Sequence, residues 1–479
     1  MARIFNLEDK IIVIIAALSQ LIEQLICNMT VVALPQIAVD LNFNIDMMMW
    51  VNLIYLCSLV SFCIPGAKII SQYGVKRFTI YSLLALFFSI FLSVFISNPY
   101  VFLISRAIQG LSSALLSISI YMMIVHELED DEVGPALGIV GSAGYIGMLI
   151  APSFMGFTMY FTSWRVAFLI FIPLISIILL LFTKVKKEWA TERQKVDNLG
   201  SLIYLLFMVL LTYGVTILDD YGIIPIIISF ILLFVFVKVE RRAEHPIYNL
   251  SLLKDARYVI GNYAAMAAYF TTTIAFTALT FHLLYINDYG EYMVGMILFI
   301  APIIMIGLSG FAGKLTKIFD PRIISGIAMI FISISMMLYA FMHFFKLDFI
   351  LFACVLQGIG AGLFSAPNNK YVLTLVEVDN LPDASAFLST SKEFGEILSN
   401  GIYTLIFSIF IVGGQLGDTN VDYLLIVSTH AMMIINFFVA FSAMVLLFYS
   451  YSKYELDYNS SVVGFFKSIL PEWLVELFD

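Results

Sequence analysis

Residues 107–117 read AIQGLSSALLS, and residues 355–365 read VLQGIGAGLFS. Each places a Gln-Gly pair, Gln109-Gly110 and Gln357-Gly358, inside a long apolar run, 248 residues apart. Gly147 and Gly395 stand at the same offset. The segment GAKIISQYGVKR (Gly66 to Arg77) matches AGKLTKIFDPR (Ala312 to Arg322) at an offset of 246. Three loci in nearly one register describe a duplicated unit. Internal repeats of apolar helices let a membrane protein build a central site that opens alternately to each side.

The surrounding composition agrees. Of 479 residues, 61% are hydrophobic and only 12% are charged, against about 45–50% and about 25% in a soluble protein. Too few polar residues remain to cover soluble domains of this total length. Runs of about 20 apolar residues are long enough to cross a bilayer. Such runs fall near 11–35, 47–70, 78–97, 100–124, 134–161, 165–183, 198–218 and 221–238. Six more fall near 259–286, 291–313, 323–343, 347–369, 384–412 and 426–450. The first run is too long for a signal-peptide core, and no small-residue cleavage site follows it. The chain is therefore expected to be an all-α polytopic membrane protein with fourteen transmembrane helices. Its expected divisions are a six-helix half (1–190), a two-helix insertion (191–245) and a second six-helix half (246–452). A tail (453–479) completes it, with Val462, Phe466, Ile469, Trp473 and Leu477 on one face of a possible interfacial helix.

An even number of spans puts both termini on one side. All but four of the 25 Lys and Arg residues fall in the loops and tails of that side. The exceptions are Arg165 and Lys346 opposite, and Arg106 and Lys392 inside spans. Positive loops stay in the cytoplasm, so both termini are expected there, in a multi-pass protein of the cell membrane.

Several functions are excluded. A net charge of −9 with no basic face does not suit nucleic acid. No phosphate-binding loop is present, and the glycines Gly358, Gly360 and Gly362 lie mid-span as a packing face. The five histidines lack ligand spacing, so no metal is expected. The four cysteines lie in apolar runs and read as small buried hydrophobes. The acidic run Glu127 to Glu132 reads as a solvated loop. No cofactor is expected, and no catalytic residues.

Several motifs resemble the major facilitator superfamily, in particular its fourteen-helix drug:proton antiporter branch, over about residues 11–450. Trp50, Tyr55 and Pro65 follow the branch's W-x4-Y…P pattern. The loop from Gly66 is similar to the family's G-x-L-a-D-r-x-G-r-k-r signature through Ile69, Gly74, Lys76 and Arg77. Ala67 and Ser71 stand where Gly and Asp are usual, so the latch made by that Asp is missing. Arg106 to Gly110 resembles R-x-x-q-G. Gly138, Gly147, Ala151-Pro152 and Gly156 resemble the antiporter motif G-x8-G-x3-G-P-x2-G-G, whose small residues and proline suit close packing and a gate. Trp164-Arg165, Phe168 and Pro173 resemble W-R-W-x-F-x-x-N-x-P. Ala366 to Asn369 and Thr390 to Gly395 resemble A-P-N-N and t-l-R-q-l-G. The resemblance implies the major-facilitator fold and export of small molecules driven by a proton gradient.

Span one departs from the branch, which usually reads L-D-x-T-I-V-N-V-A-L-P. Here Val32-Ala33-Leu34-Pro35 is kept, but Ile26 replaces the Asp, and Glu23 stands one turn earlier. Gln20, Gln24 and Asn28 recur at helical spacing, and Glu23 to Thr30 is i+7, giving a polar stripe on an apolar helix. An intramembrane acid is a functional hypothesis by default, because a buried carboxyl can take up and release a proton. Glu23 is thus the expected proton site, with Arg106 modulating it. Gln20, Gln24, Asn28, Asn52, Tyr55 and Gln109 are expected to line the cavity from the first half. Thr271, Glu393, Glu396 and Tyr403 are expected to line it from the second. Lys392 and Glu396, at i and i+4, are spaced to neutralise one another, which leaves Glu393 over.

The reading is a proton-coupled secondary transporter, monomeric, exporting lipophilic, neutral or cationic compounds; its partners are the lipid bilayer, a small-molecule substrate and protons. A carrier of a specific metabolite or peptide on the same fold stays open, as does a polytopic membrane sensor or enzyme. The last would need reactive residues gathered at one membrane face, and the repeat argues instead for alternating access.

Overall fold

The fold is described from a computed structural model, over residues 7–43, 45–190, 197–217, 221–344, 346–410 and 419–454. The tail expected to form an interfacial helix lies outside these residues beyond position 454. The first six spans are α1 (Leu7–Asp40), α2 (Ile45–Tyr73), α3 (Val75–Phe95), α4 (Pro99–Glu127), α5 (Asp130–Phe161) and a broken pair, α6 (Trp164–Phe168) with α7 (Phe171–Phe182). Then come α8 (Asn198–Thr216) and α9 (Ile223–Glu240). The last six are α10 (Ala256–Phe281), a second broken pair, α11 (Glu291–Leu298) with α12 (Ile300–Leu315), then α13 (Pro321–Ala340), α14 (Leu347–Thr374), α15 (Leu381–Phe410) and α16 (Thr419–Lys453). No strand occurs among the described residues.

Among the described residues, thirteen spans are long and apolar enough to cross a membrane. The helix outside that set is α15, whose 30 residues include Asp383, Lys392, Glu393 and Glu396. It sits inside the bundle, packed on α2, α4, α8, α10, α14 and α16, so its polar groups face protein and cavity instead of lipid.

Local chemistry sets the helix ends. Asn98 caps α4 by accepting from the N–H groups of Tyr100 (2.9 Å) and Val101 (3.3 Å), with Pro99 at the first helical position. Asp320 does the same for α13, ahead of Pro321. Both broken spans are explained by proline. The ring of Pro173 crowds the carbonyl four residues back, where α6 ends, and Pro302 stands in the same relation to the end of α11.

The repeat is visible in the packing. A Cβ on Gly147 of α5 would stand 2.9 Å from the Leu21 carbonyl of α1. One on Gly395 of α15, 248 residues later, would collide with the Met266 carbonyl of α10. Only glycine permits such close approach of two helix backbones. Gln109 and Gln357 are likewise buried at matching places. Arg106 Nη1 donates to Gln109 Oε1 (2.7 Å), and the Tyr339 hydroxyl donates to Gln357 Oε1 (2.8 Å).

The two sets of six spans meet mainly through α5 on α12 and α2 on α15, while α8 packs against both α2 and α15. Hydrogen bonds join the sets near the face that holds the start of α1, here called the basic face. Ser309 Oγ donates to the Gly138 carbonyl (3.1 Å), Ser142 Oγ to the Ile306 carbonyl (2.9 Å), and Lys317 pairs with Asp131 (3.0 Å). Gly138 packs against Ser309, Gly310 and Gly313 with no room for a Cβ. The basic face is closed.

Candidate functional site

A cavity of about 550 Å³ lies between the two sets of spans. The first turns of its wall come from α1, where Gln20, Glu23, Gln24, Cys27 and Asn28 share one face. Glu23 is 4% exposed, and Gln20 Nε2 donates to its Oε2 at 3.3 Å. Asn28 Nδ2 donates to the Gln24 carbonyl at 2.8 Å, which fixes the amide one turn on. From α2 come Asn52 and Tyr55, and from α15 come Glu393, Glu396 and Asn400. Three carboxyls therefore share one cavity at mid-span.

Three expected lining residues do not line it. Gln109 is buried in α4, where it accepts from Arg106 and donates to Ser93 Oγ (3.1 Å). Thr271 turns its hydroxyl to the Ala267 (2.9 Å) and Ala268 (3.1 Å) carbonyls, so its neighbours Thr272 and Thr273 face the cavity instead. Tyr403 is buried in the cluster formed by α10, α13, α14 and α16. Conversely, the sequence pattern alone did not find Tyr121, Tyr145, Tyr269, Phe276 or Asn369, which all line the wall. Asn369 carried a signal, the A-P-N-N segment. The aromatic residues had none, since a ring inside an apolar run looks like core.

Arg106 is buried, with Nε donating to the Val51 carbonyl (3.2 Å) and the guanidinium 4.5 Å from the Tyr55 ring centre. Among the described residues no carboxylate lies within ion-pair distance of it. Nor does Lys392 pair with Glu396, as their spacing suggested. Its Nζ donates to the Tyr121 hydroxyl of α4 at 2.7 Å.

The gate motifs are placed as follows. Gly74 takes φ 111°, a conformation that favours glycine, at the start of α3. Lys76 Nζ donates to the Val185 carbonyl at the end of span six (2.6 Å). At the matching loop, Arg322 Nη1 donates to the Ser450 (2.8 Å) and Tyr454 (2.7 Å) carbonyls at the end of α16. Arg77 donates its backbone N–H to Glu188 (3.2 Å), and Gly66 packs on Leu115 of α4. Pro152 lies inside α5, and Gly156 faces open space. On the opposite face, Asp40 accepts from Trp164 Nε1 (2.8 Å) and Arg165 Nη1 (2.9 Å), which pins the W-R motif to the end of α1. The acidic run on the basic face is partly engaged, since Glu127 holds Lys187 (2.7 Å) and Asp131 holds Lys317. No cluster of three or more metal-binding side chains occurs among the described residues.

A duplicated six-helix unit around a polar mid-membrane cavity is the architecture of a secondary transporter, and the family comparison agrees. The family model of the Major Facilitator Superfamily matches residues 16–400. The chain belongs to this superfamily. It is a multi-pass membrane transporter and not an enzyme. The riboflavin transporter RibZ of Clostridioides difficile is 25% identical over 384 residues, covering 79% of this chain and 83% of its own. The drug efflux pump JefA of Mycobacterium tuberculosis is 23% identical over 404 residues, covering 81% and 78%. A lincomycin resistance protein of Streptomyces lincolnensis is 26% identical over 261 residues, covering 53% and 54%. The human organic anion transporter MFSD10 (TETRAN) superposes with a TM-score of 0.66 at 10% identity, over 90% of this chain and 99% of that one. That likeness shows the fold.

Proposed function

We propose that this transporter exports lipophilic, neutral or cationic compounds in exchange for protons, as a monomer in the cell membrane with both termini cytoplasmic. The observation that carries the reading is the set Glu23, Glu393 and Glu396 around one cavity. Carboxyls in such a space can bind a cation or a proton, and competition between the two couples their movement. The rings of Tyr121, Tyr145, Tyr269 and Phe276 offer apolar and cation–π surface to a flat lipophilic cation. The names of the efflux and resistance relatives support this class. The excess of Lys and Arg at the basic face supports its cytoplasmic placement. The proton gradient is then the energy source, and no cofactor is needed.

A second reading is a carrier of one polar, planar metabolite. The amides of Gln20, Gln24, Asn28, Asn52, Asn369 and Asn400 favour it, because such a wall can read hydrogen-bonding edges. The riboflavin transporter among the relatives points the same way. Everted vesicles loaded by an imposed pH gradient separate the two. Gradient-driven accumulation of ethidium, with proton release, supports the first. Saturable riboflavin transport that ethidium does not inhibit would replace it with the second.

A further inference from the structure

Lys392 is the ammonium set among the cavity's carboxyls. It is 4% exposed, next in sequence to Glu393 and one turn from Glu396. Its Nζ donates to the Tyr121 hydroxyl at 2.7 Å and lies 5.6 Å from the Tyr269 ring centre. Tyr121 belongs to the first six spans and Lys392 to the last six, so the contact crosses the line along which they must separate. Nearby, Ser117 and Ser389 share a hydrogen bond of 3.0 Å across the same crossing of α4 and α15. One pin in this seam is neutral and the other is charged.

A buried ammonium is tolerated only where opposite charge or good hydrogen bonds compensate its lost hydration. The Tyr121 hydroxyl supplies one acceptor. Two carboxyls stand close by: Glu393 is its sequence neighbour on α15, and Glu23 on α1 lines the same cavity as Glu393. The other titratable groups on the cavity wall are Tyr121 itself, Cys27 on α1, Tyr55 on α2, Tyr145 on α5, Tyr269 on α10 and Glu396. Among these the carboxyls are the groups that switch between a charged form and a neutral, proton-carrying one. When they are charged and hold no cation, Lys392 is compensated and the seam stays shut. When each takes a proton from the water on the opposite face, the ammonium loses its counter-charge while still buried.

We propose that Lys392 is a positioning residue that makes the return of the empty transporter depend on protons. Charged Glu23 and Glu393 hold it against Tyr121 and keep the basic face closed. Neutralised, they release it to water at the basic face, and the crossing of α4 and α15 opens. The empty, unprotonated transporter is thereby locked, which prevents substrate leaking back without proton exchange. The inference rests on the proton-for-substrate reading above.

The test uses the full chain in liposomes with ethidium as the probe. Net ethidium flux needs the empty transporter to return, whereas ethidium-for-ethidium exchange does not. For the unmodified protein at saturating ethidium, net flux is expected to fall about tenfold from about pH 6 to about pH 8, with exchange unchanged. Lys392→Met is expected to abolish that fall and leave exchange intact, and Lys392→Arg to restore it. Tyr121→Phe removes one hydroxyl and no charge, so it covers the case in which Lys392→Met does not fold. It is expected to raise net flux at the higher pH about threefold. A Lys392→Met protein with the unmodified pH dependence overturns the inference alone, as does Tyr121→Phe with unmodified flux. An unmodified protein that moves ethidium with no proton exchange overturns the coupling reading and this inference together.

Discussion

Glu188 caps the first turn of α3 at Lys76. The Lys76 backbone N–H donates to Glu188 Oε1 at 2.9 Å, and Arg77 N–H donates to Oε2 at 3.2 Å. The carboxylate comes from the segment after α7, and the neighbouring Trp189 carbonyl accepts from Val75 N–H at 2.8 Å. This chain lacks the acid that the family usually carries at the position of Ser71. The first turn of α3 instead receives negative charge from span six, where a helix N-terminus favours it.

Glu188→Ala should therefore cost about 1 kcal/mol of stability, the usual worth of a helix cap. Glu188→Gln should cost less, because an amide still accepts a hydrogen bond. Thermal unfolding in detergent measures both. An alanine variant as stable as the unmodified protein would show that the cap contributes nothing.

Gly138 and Gly156 belong to the same sequence motif but meet different surroundings. A Cβ on Gly138 would stand 2.6 Å from the Ser309 carbonyl, whereas nothing lies within 4 Å of one on Gly156. Gly138→Val is expected to keep the basic face from closing, lowering transport at least about tenfold at normal expression. Gly156→Ala should transport normally. Equal loss in both would mean that the motif acts through α5 itself and not through its contact with α12.

The spans were legible because apolar length is a property of sequence alone, and Glu23 was legible as a lone acid in such a run. The rotation of each helix was harder to read. α4 carries Ser105, Arg106, Gln109, Ser112, Ser113, Ser117 and Ser119 on more than one narrow face, so nothing in its pattern distinguishes the face of Gln109, buried beside Arg106, from the face of Tyr121, which lines the cavity. Lys392 was misplaced for a related reason. Helical spacing pairs it with Glu396, but its actual partner is 271 residues away on another span. Periodicity describes one helix and is silent about which other helix lies across the cavity.

Asp255 offers a pH test outside the membrane. It caps α10 by accepting from Arg257 N–H (2.9 Å), and it pairs with the Arg257 guanidinium (2.8 Å). Burial pushes the Asp255 carboxyl up, but the hydrogen bonds and charge of Arg257 outweigh it and leave it below the ordinary carboxylate value. A carboxyl held below its unfolded value stabilises the fold above that value, about 3.9, and loses this contribution as pH falls through the folded one. Asp255→Asn should thus lower stability at neutral pH by about 0.5–1 kcal/mol, given the pair's partial exposure. The difference from the unmodified protein should vanish at strongly acid pH. Unfolding scans of both proteins across the acid range check this, and a pH-independent difference would refute it.

Glu23 carries the strongest prediction for transport. It sits near the middle of the 34 residues of α1, with the Gln20 amide donating to it. A glutamine fills the same space and can accept the same hydrogen bond from Gln20, but it cannot take up or release a proton. Glu23→Gln is therefore expected to keep ethidium binding within about threefold while lowering pH-driven efflux at least about tenfold. Glu23→Asp should retain part of the activity, because it keeps the acid and moves it back by one methylene. Glu393→Gln and Glu396→Gln should instead weaken ethidium binding, since they remove charge from the wall opposite. Efflux from vesicles under an imposed pH gradient, with binding followed by fluorescence, separates these outcomes. If Glu23→Gln follows the gradient as strongly as the unmodified protein, the coupling acid is on α15. The polar stripe of α1 then serves the substrate alone.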